Sequence, residues 1–428
     1  MNYPKVLIIS RGVWDDNGTS STLSNIFCDY PSECLAHLYI ETKNPNTRYC
    51  QLFFQISEYS LIRKLYKWKT ITGRQVESSY KGDAEIAKKE ASMMSYVRGH
   101  RAFVFTILRE LLWGFNGWKS KELDSFVKSF NPDVIWVTGS PLILMNRVAK
   151  HVIAIAEKPY CLFEMDDVYS YLNCGCNPFK YLYRFLLRKI VKDLICKADQ
   201  LFVISPKMKR EFDSLFGVNS LVLTKGIDCS IDDYKEHLHK PPIHIVYLGQ
   251  VIYGRLSTIS MLASVLCSIN SGEEKVVLDI YTGNNVDESV KLKMTQHGDV
   301  CFHEPVPYSE VPTIIAESDV VLFVESFEKK FRNIARLSFS TKITDYLRNG
   351  KCILAIGPND VAPIEYFVEN DSAVVATNED EIAKAIDLIL QKDVINRYSK
   401  QAYECGRRNH DKVMIEKMVF GKILELGL

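Results

Sequence analysis

Apolar residues in this chain come in short unbroken runs, each closed by a polar turn and followed by a stretch of helical spacing. Lys5–Ser10 (KVLIIS) begins the series, and Val134–Thr138, Tyr160–Met165, Leu201–Ser205 and Leu221–Thr224 continue it. Beyond the Pro241-Pro242 pair a second series runs through Ile243–Leu248, Val276–Tyr281, Val320–Val324, Cys352–Ile356 and Ala373–Ala376. Runs this short that are apolar throughout suit strands buried on both faces of a parallel sheet. Between them lie helix signals: Ser205 as an N-cap with Pro206 at the first helical position, and Glu379 before DEIAKAIDLIL. From Asn396 onward the tail reads as helix in two pieces. The alternation predicts an α/β protein with parallel sheets, arranged as two Rossmann-like domains facing each other across a cleft. The polar, proline-bearing segment at 232–242 marks the join, assigning residues 1–236 to the first domain and 237–407 to the second.

Composition narrows the classes without choosing one. With 47% hydrophobic and 25% charged residues the 428-residue chain is an ordinary globular protein. A net charge of +1 argues against a dedicated nucleic-acid binder, which carries a basic excess. Twelve cysteines include no CxxC pair, and the CxC at Cys174 and Cys176 has no nearby histidine, so no metal site is expected. Most sit in apolar runs, where a thiol acts as a small hydrophobe. The opening MNYPKVLIIS is too short an apolar stretch for a secretory signal, and Phe103 to Trp118 is broken by Arg109, Glu110 and Asn116, so no membrane span is expected. A reduced, cytoplasmic protein is the expectation.

Candidate chemistry gathers where strands end, since ligands of such sheets bind outside the carboxyl ends of the strands. In SFSTKITDYLRNGKCILAI, Ser340 is a plausible N-cap, with Thr341, Lys342 and Asp345 on one helical face. A helix N-terminus with an added lysine suits a phosphate, and a carboxylate one turn deeper suits ribose hydroxyls. The same pattern also reads as a capped surface helix with a Lys342–Asp345 ion pair. After the first strand of the second half, Gly249 and Gly254 flank a turn ending at Arg255, a residue able to grip a diphosphate bidentately. Asp166 and Asp167, in EMDD, can hold sugar hydroxyls or take a proton, or simply cap a helix. The turn from Arg11 leads through Gly18 and Thr19 into a Ser/Thr-rich helix start.

Two segments are basic and aromatic. Glu58–Arg74 carries five positive charges against one negative, and Phe179–Lys197 six against one, with Lys180, Arg184, Arg188 and Lys192 spaced by four. Such helices rest on an anionic membrane surface or cover a sheet with their basic face solvated.

Taken together these stretches resemble the family 4 retaining glycosyltransferases of the GT-B fold. The passage KADQLFVISPKMKREFDSLFGVNSLVLTKGID, then HEPVPYSEVPTIIAESDVVLF, and above all STKITDYLRNGKCILA are similar to runs of that family. The opening, from VLIIS through YPSECLAHLYIE, is similar to a branch acting in bacterial capsule and surface-polysaccharide synthesis. The resemblance implies a nucleotide-diphosphate sugar as donor substrate, a glycan or polyprenyl-linked acceptor, and no cofactor or metal. It implies that Arg255 and Lys342 bind the donor diphosphate and that Asp345 takes the ribose. Ser340 and Thr341 stand at the phosphate-binding helix start, with Gly249 and Gly254 on the donor side. Asp166 and Asp167 then stand opposite as catalytic groups, with Gly18 and Thr19 on the acceptor side, and the last helix, about 408–428, packs back on the first domain. Three positions depart from the family pattern: Leu337 stands for the first of two glutamates, EMDD for a histidine, and Lys225 for the asparagine of N-G-I-D. A catalytically silent GT-B partner protein and a nucleotide-sugar 2-epimerase are the competing readings.

Overall fold

The computed structural model describes residues 3–16, 22–41, 43–77, 103–115, 117–229, 234, 236, 239–272, 275–296, 299–307 and 309–428. They form two compact units. The first comprises Met1–Ile204, Lys209–Leu223 and Glu416–Leu428, the second Ser205–Met208 and Thr224–Ile415.

The first unit is built on eight strands: β1 (Val6–Ile9), β2 (Leu35–Tyr39), β3 (Leu52–Ile56), β4 (Gly73–Glu77), β5 (Val134–Thr138), β6 (Tyr160–Glu164), β7 (Gln200–Val203) and β8 (Leu221–Val222). Their order is β4-β3-β2-β1-β5-β6-β7-β8. The second unit holds β9 (Ile243–Leu248), β10 (Val276–Tyr281), β11 (Val300–His303), β12 (Val320–Val324), β13 (Cys352–Ile356) and β14 (Val374–Ala376) in the order β11-β10-β9-β12-β13-β14, all parallel. Both sheets carry the Rossmann order, so the direction of winding reverses between β1 and β5 and between β9 and β12. At such a reversal the loops leaving the two strands part, opening a crevice at the carboxyl ends.

The runs singled out by continuous hydrophobicity are strands here, and Val6–Ile9, Val320–Val324 and Cys352–Ile356 are buried throughout. Four strands, β2, β3, β4 and β11, escape that pattern, because polar residues interrupt them or because they are short. β2 carries His37, wholly buried, whose Nε2 sits 2.8 Å from Ser10 Oγ; burial pulls its pKa down to about 3, so it stays neutral. β3 carries Gln55, which donates to the Glu41 carbonyl at 2.7 Å. β11 is only four residues long.

The sheets are parallel, as expected, except at β4, which pairs antiparallel with β3 at the sheet edge. That strand also divides Glu58–Arg74, which is not one basic helix: helix Glu58–Lys64 ends in a turn and the chain enters β4 at Gly73. None of the twelve cysteines is in a disulfide. Among the described residues no helix is long and apolar enough to cross a membrane.

Candidate active site

In the second unit β9 delivers the chain into a turn whose backbone only glycine accepts. Gly249 has φ +137°, and a Cβ there would stand 2.1 Å from the Lys342 ammonium nitrogen. The missing side chain is thus the space that Lys342 occupies. Lys342 lies on helix Thr341–Arg348, whose N-cap Ser340 accepts weakly from the Lys342 N–H at 3.4 Å. Its ammonium sits 4.8 Å from the centre of the buried Tyr247 ring, whose hydroxyl donates to the Gln250 carbonyl at 2.6 Å. The Lys342 pKa falls to about 8, chiefly because burial penalises the charge; Arg255 adds repulsion and Glu325 partly offsets it.

Gly254 caps the next helix, Arg255–Ile269, and Arg255 is its first residue. One guanidinium nitrogen of Arg255 donates to both carboxylate oxygens of Glu325, at 2.9 and 3.2 Å. Glu325 leaves the carboxyl end of β12, is 5% exposed, and is held by its own N–H donating to the Ile356 carbonyl. Thr258 Oγ1 donates to the Glu325 carbonyl at 3.1 Å, tying the helix to the same strand end. The result is a cationic corner at the β9/β12 reversal: one arginine oriented by a buried carboxylate, and one lysine whose burial beside that arginine pulls its pKa down.

The helical ion pair between Lys342 and Asp345 does not form. Asp345 instead pairs with Lys225, and Lys342 turns toward β9. Lys225, one of the departures noted in the sequence, is therefore the partner of Asp345. Another, Leu337, is wholly buried in apolar core, with its carbonyl accepting from Ser205 Oγ at 2.8 Å. Thr341 is exposed at the helix start.

In the first unit the two aspartates have different fates. Asp167 turns onto its own loop: its carboxylate accepts from the Ser170 N–H at 2.8 Å, the Ser170 hydroxyl at 2.6 Å and the Tyr169 N–H at 3.3 Å. Asp166 is exposed. The buried acid of EMDD is Glu164, which closes β6 at 1% exposure. Its Oε2 makes no hydrogen bond among the described residues, and it lies where a side chain on Gly139 would begin, 2.1 Å from that Cβ position. Burial, helped by the charges of Asp166 and Asp167, raises its pKa to about 8. A cavity of about 520 Å³ opens beside it at the β1/β5 reversal, lined by Ser10, Arg11, Trp14, Thr138, Gly139 and Met165. The Thr138 hydroxyl is buried and makes no hydrogen bond among the described residues. Gly18 and Thr19 lie outside the described residues.

Arg255, Lys342, Gly249 and Gly254 thus come together in the second unit, with Ser340 at the helix start, while Asp166 and Asp167 belong to the first. Sequence reasoning missed Glu325, Tyr247 and Glu164 as site residues. The signal for both acids was available: each is a carboxylate placed directly at the end of an apolar run.

Residues 280–413 match a family model described as glycosyl transferase-like, a segment that includes Glu325, Lys342 and Asp345. No curated protein matches the chain. Among solved structures, HepE of Anabaena in complex with UDP-glucose superimposes with a TM-score of 0.58 at 14% identity, covering 99% of this chain and 100% of that one. The lipopolysaccharide outer core galactosyltransferase WaaB matches at 0.59 and 12% identity over 99% of each chain. An α,α-trehalose-phosphate synthase (UDP-forming) of Burkholderia xenovorans, in complex with glucose-6-phosphate, matches at 0.59 and 12% over 98% and 100%. The chain shares with these structures a fold of two Rossmann-like α/β domains, the GT-B class.

Proposed function

We propose that this chain is a glycosyltransferase of family 4 that moves a hexosyl group, with retention, from a nucleotide-diphosphate sugar to a glycan or polyprenyl-linked acceptor in bacterial surface-polysaccharide synthesis. One observation supports the reading: two cations, Arg255 and Lys342, stand in the first turns of two helices at the β9/β12 reversal, and Lys342 makes no ion pair among the described residues. A diphosphate there supplies the missing negative charge. As the bond from the sugar to the diphosphate breaks, charge builds on the leaving oxygens and both cations stabilise it. The acceptor hydroxyl attacks from the same face and passes its proton to a leaving diphosphate oxygen, so no dedicated protein nucleophile is needed. Ser340 and Thr341 present backbone N–H groups to phosphate, and Asp345, steadied by Lys225, takes the ribose hydroxyls. On this reading Gly18, Thr19, Asp166 and Asp167 serve the acceptor side, and the protein works in the cytoplasm at the inner face of an anionic membrane.

Binding should be proton-linked. Free Lys342, with its pKa near 8, is partly neutral at pH 8, and an anion beside it restores the ordinary lysine range. Nucleotide diphosphate binding at pH 8.5 should therefore take up most of one proton, and affinity should fall as pH rises above about 8. Calorimetry of a panel of nucleoside diphosphates in two buffers of different ionisation enthalpy reads both the preferred base and the proton. Binding without proton uptake would remove Lys342 from the diphosphate site.

Asp345→Asn should weaken nucleotide binding about tenfold while changing kcat little, because a ribose contact is the same in ground and transition states. A fall in kcat with unchanged binding would contradict the ribose role.

The silent-partner reading draws on one observation, that Leu337 stands in the core where family members carry a carboxylate. Nucleotide binding, donor hydrolysis and sugar transfer measured separately distinguish the two, since a silent protein binds and turns nothing over.

A further inference from the structure

Helix Phe103–Gly114 is apolar on the wrong side. Its single fully buried residue is Trp113, while Val104, Leu108, Leu111 and Phe115 follow one another at spacings of four, three and four and all face solvent, Phe115 at 74% exposure. That spacing is the stripe by which an amphipathic helix normally packs on a core.

The helix is fixed in place by its other face. Arg109 and Trp113 both donate to Glu58 of the preceding helix, and Tyr183 of helix Pro178–Lys197 donates to Glu110 at 2.8 Å. The Phe103 and Tyr183 rings meet edge to face at 5.8 Å.

Both neighbours extend the exposed apolar surface. The turn after Lys64 exposes Leu65, Tyr66, Trp68 and Ile71, Trp68 at 77%. Helix Pro178–Lys197 buries Leu187, Val191 and Leu194 yet also exposes Phe179, Leu182, Phe185 and Leu186. Its basic face is not what spacing suggested. Arg184 and Arg188 turn inward, donating to the carbonyls of Asp167 and Tyr169, with Arg188 stacked 3.7 Å from the Tyr169 ring centre.

Across residues 58–71, 103–115 and 178–192 every fully exposed residue is apolar, aromatic or lysine. The exposed charges are Lys67, Lys69, Lys189 and Lys192, and no acid is among them. The acids of these stretches, Glu58 and Glu110, are engaged as acceptors within the layer.

We propose that these three stretches of the first unit form one membrane-docking face, with the Val104–Leu108–Leu111–Phe115 stripe at its centre entering the headgroup–acyl boundary of an anionic bilayer. Charge complementarity selects this occupant. Lysines ringing an apolar field, with tryptophan and tyrosine among them, match an anionic interface, where each part finds its preferred depth. The inference deepens the lipid-linked part of the proposed function and gives that face a centre which hydropathy alone discards as an interrupted span.

The test is co-sedimentation of the full chain with vesicles of phosphatidylcholine containing about one-third phosphatidylglycerol, against pure phosphatidylcholine, at low and high salt. Wild-type protein should bind the anionic vesicles at least about tenfold better, and high salt should weaken that binding. Val104→Ser, Leu108→Ser, Leu111→Ser and Phe115→Ser together should lower binding at least about tenfold. These positions are exposed, so the fold is retained, and an unchanged melting temperature confirms it. Absence of wild-type binding at low salt, or equal binding by the quadruple variant, overturns the proposal. So does a wild-type dimer in light scattering that the variant abolishes without any vesicle binding, since a second copy then covers the face. A protein that ignores vesicles yet binds nucleotide would lose this face and keep its donor site; one that docks on vesicles but binds no nucleotide would do the reverse.

Discussion

Lys342→Ala should lower sugar transfer by roughly a hundred- to a thousandfold while leaving the protein at least as stable as before. The first half follows from where the charge is needed: the leaving diphosphate gains negative charge in the transition state, and removing one such donor costs about 2.7–4 kcal/mol of barrier. The second half follows from the burial of Lys342, whose pKa falls from 10.5 to about 8. Below pH 8 the folded protein holds a proton on an ammonium that the unfolded chain solvates better. That cost, on the order of 3 kcal/mol, is fully present at pH 7 and disappears as pH rises from about 8 to 10.5. Removing the lysine therefore relieves the fold while disabling the site, the exchange of stability for activity expected of a functional group. Transfer kinetics alongside thermal melting at pH 7 read both. Near-normal turnover would refute the diphosphate site, and a large fall in melting temperature would refute the view of Lys342 as a strained charge. Arg255→Ala is a less clean companion, because it leaves Glu325 buried without a partner. The pair Arg255→Met with Glu325→Gln removes the cation without stranding the carboxylate, and should lose activity to a similar degree.

Glu164→Gln should stabilise the chain at pH 8 by about 1–3 kcal/mol, a gain that is lost, and then reversed, as pH falls toward 5. Glu164 has an ordinary pKa of 4.5 and a folded value of about 8, raised by burial and by the carboxylates of Asp166 and Asp167. Between those values the folded state keeps a proton that the unfolded chain releases, so the acid lowers stability progressively as pH rises from about 4.5 to 8 and stays at its full cost above that. Glutamine copies the shape of the neutral acid and never ionises. Its gain is the titration cost, at about 1.4 kcal/mol per pKa unit, less about 1–3 kcal/mol for an amide with an unmet hydrogen bond. Melting curves of both proteins from pH 5 to 9 give the answer: parallel curves would mean that Glu164 is not held as a neutral acid against Gly139. The same experiment repeated with a bound acceptor asks whether that proton is used, since an acceptor hydroxyl reaching the carboxyl would shift its titration.

Hydrophobic pattern alone determined a large share of this protein. Strands buried on both faces must be apolar throughout, so Val6–Ile9, Val320–Val324 and Cys352–Ile356 announced themselves, and with them the α/β class. Capping chemistry is local, which is why Ser340 and the helix it opens were legible in order. Lys342 and Arg255 could be named because their neighbours in sequence already suggest phosphate. Partnership is not local, and there only the tertiary structure decided. Whether Asp345 pairs with Lys342, three residues before it, or with Lys225, 120 residues before it, depends on which backbone approaches the helix. Glu325 orients Arg255 across 70 residues of chain. The strand β2 was hidden by His37, whose cost of burial is met by Ser10 on the neighbouring strand's end. The exposed stripe of Val104, Leu108, Leu111 and Phe115 has the spacing of a core-facing helix, and no periodicity distinguishes the two. A pattern records that one face of a helix is apolar; only the packing of Trp113 and Arg109 onto Glu58 settles that the face is turned away from the core.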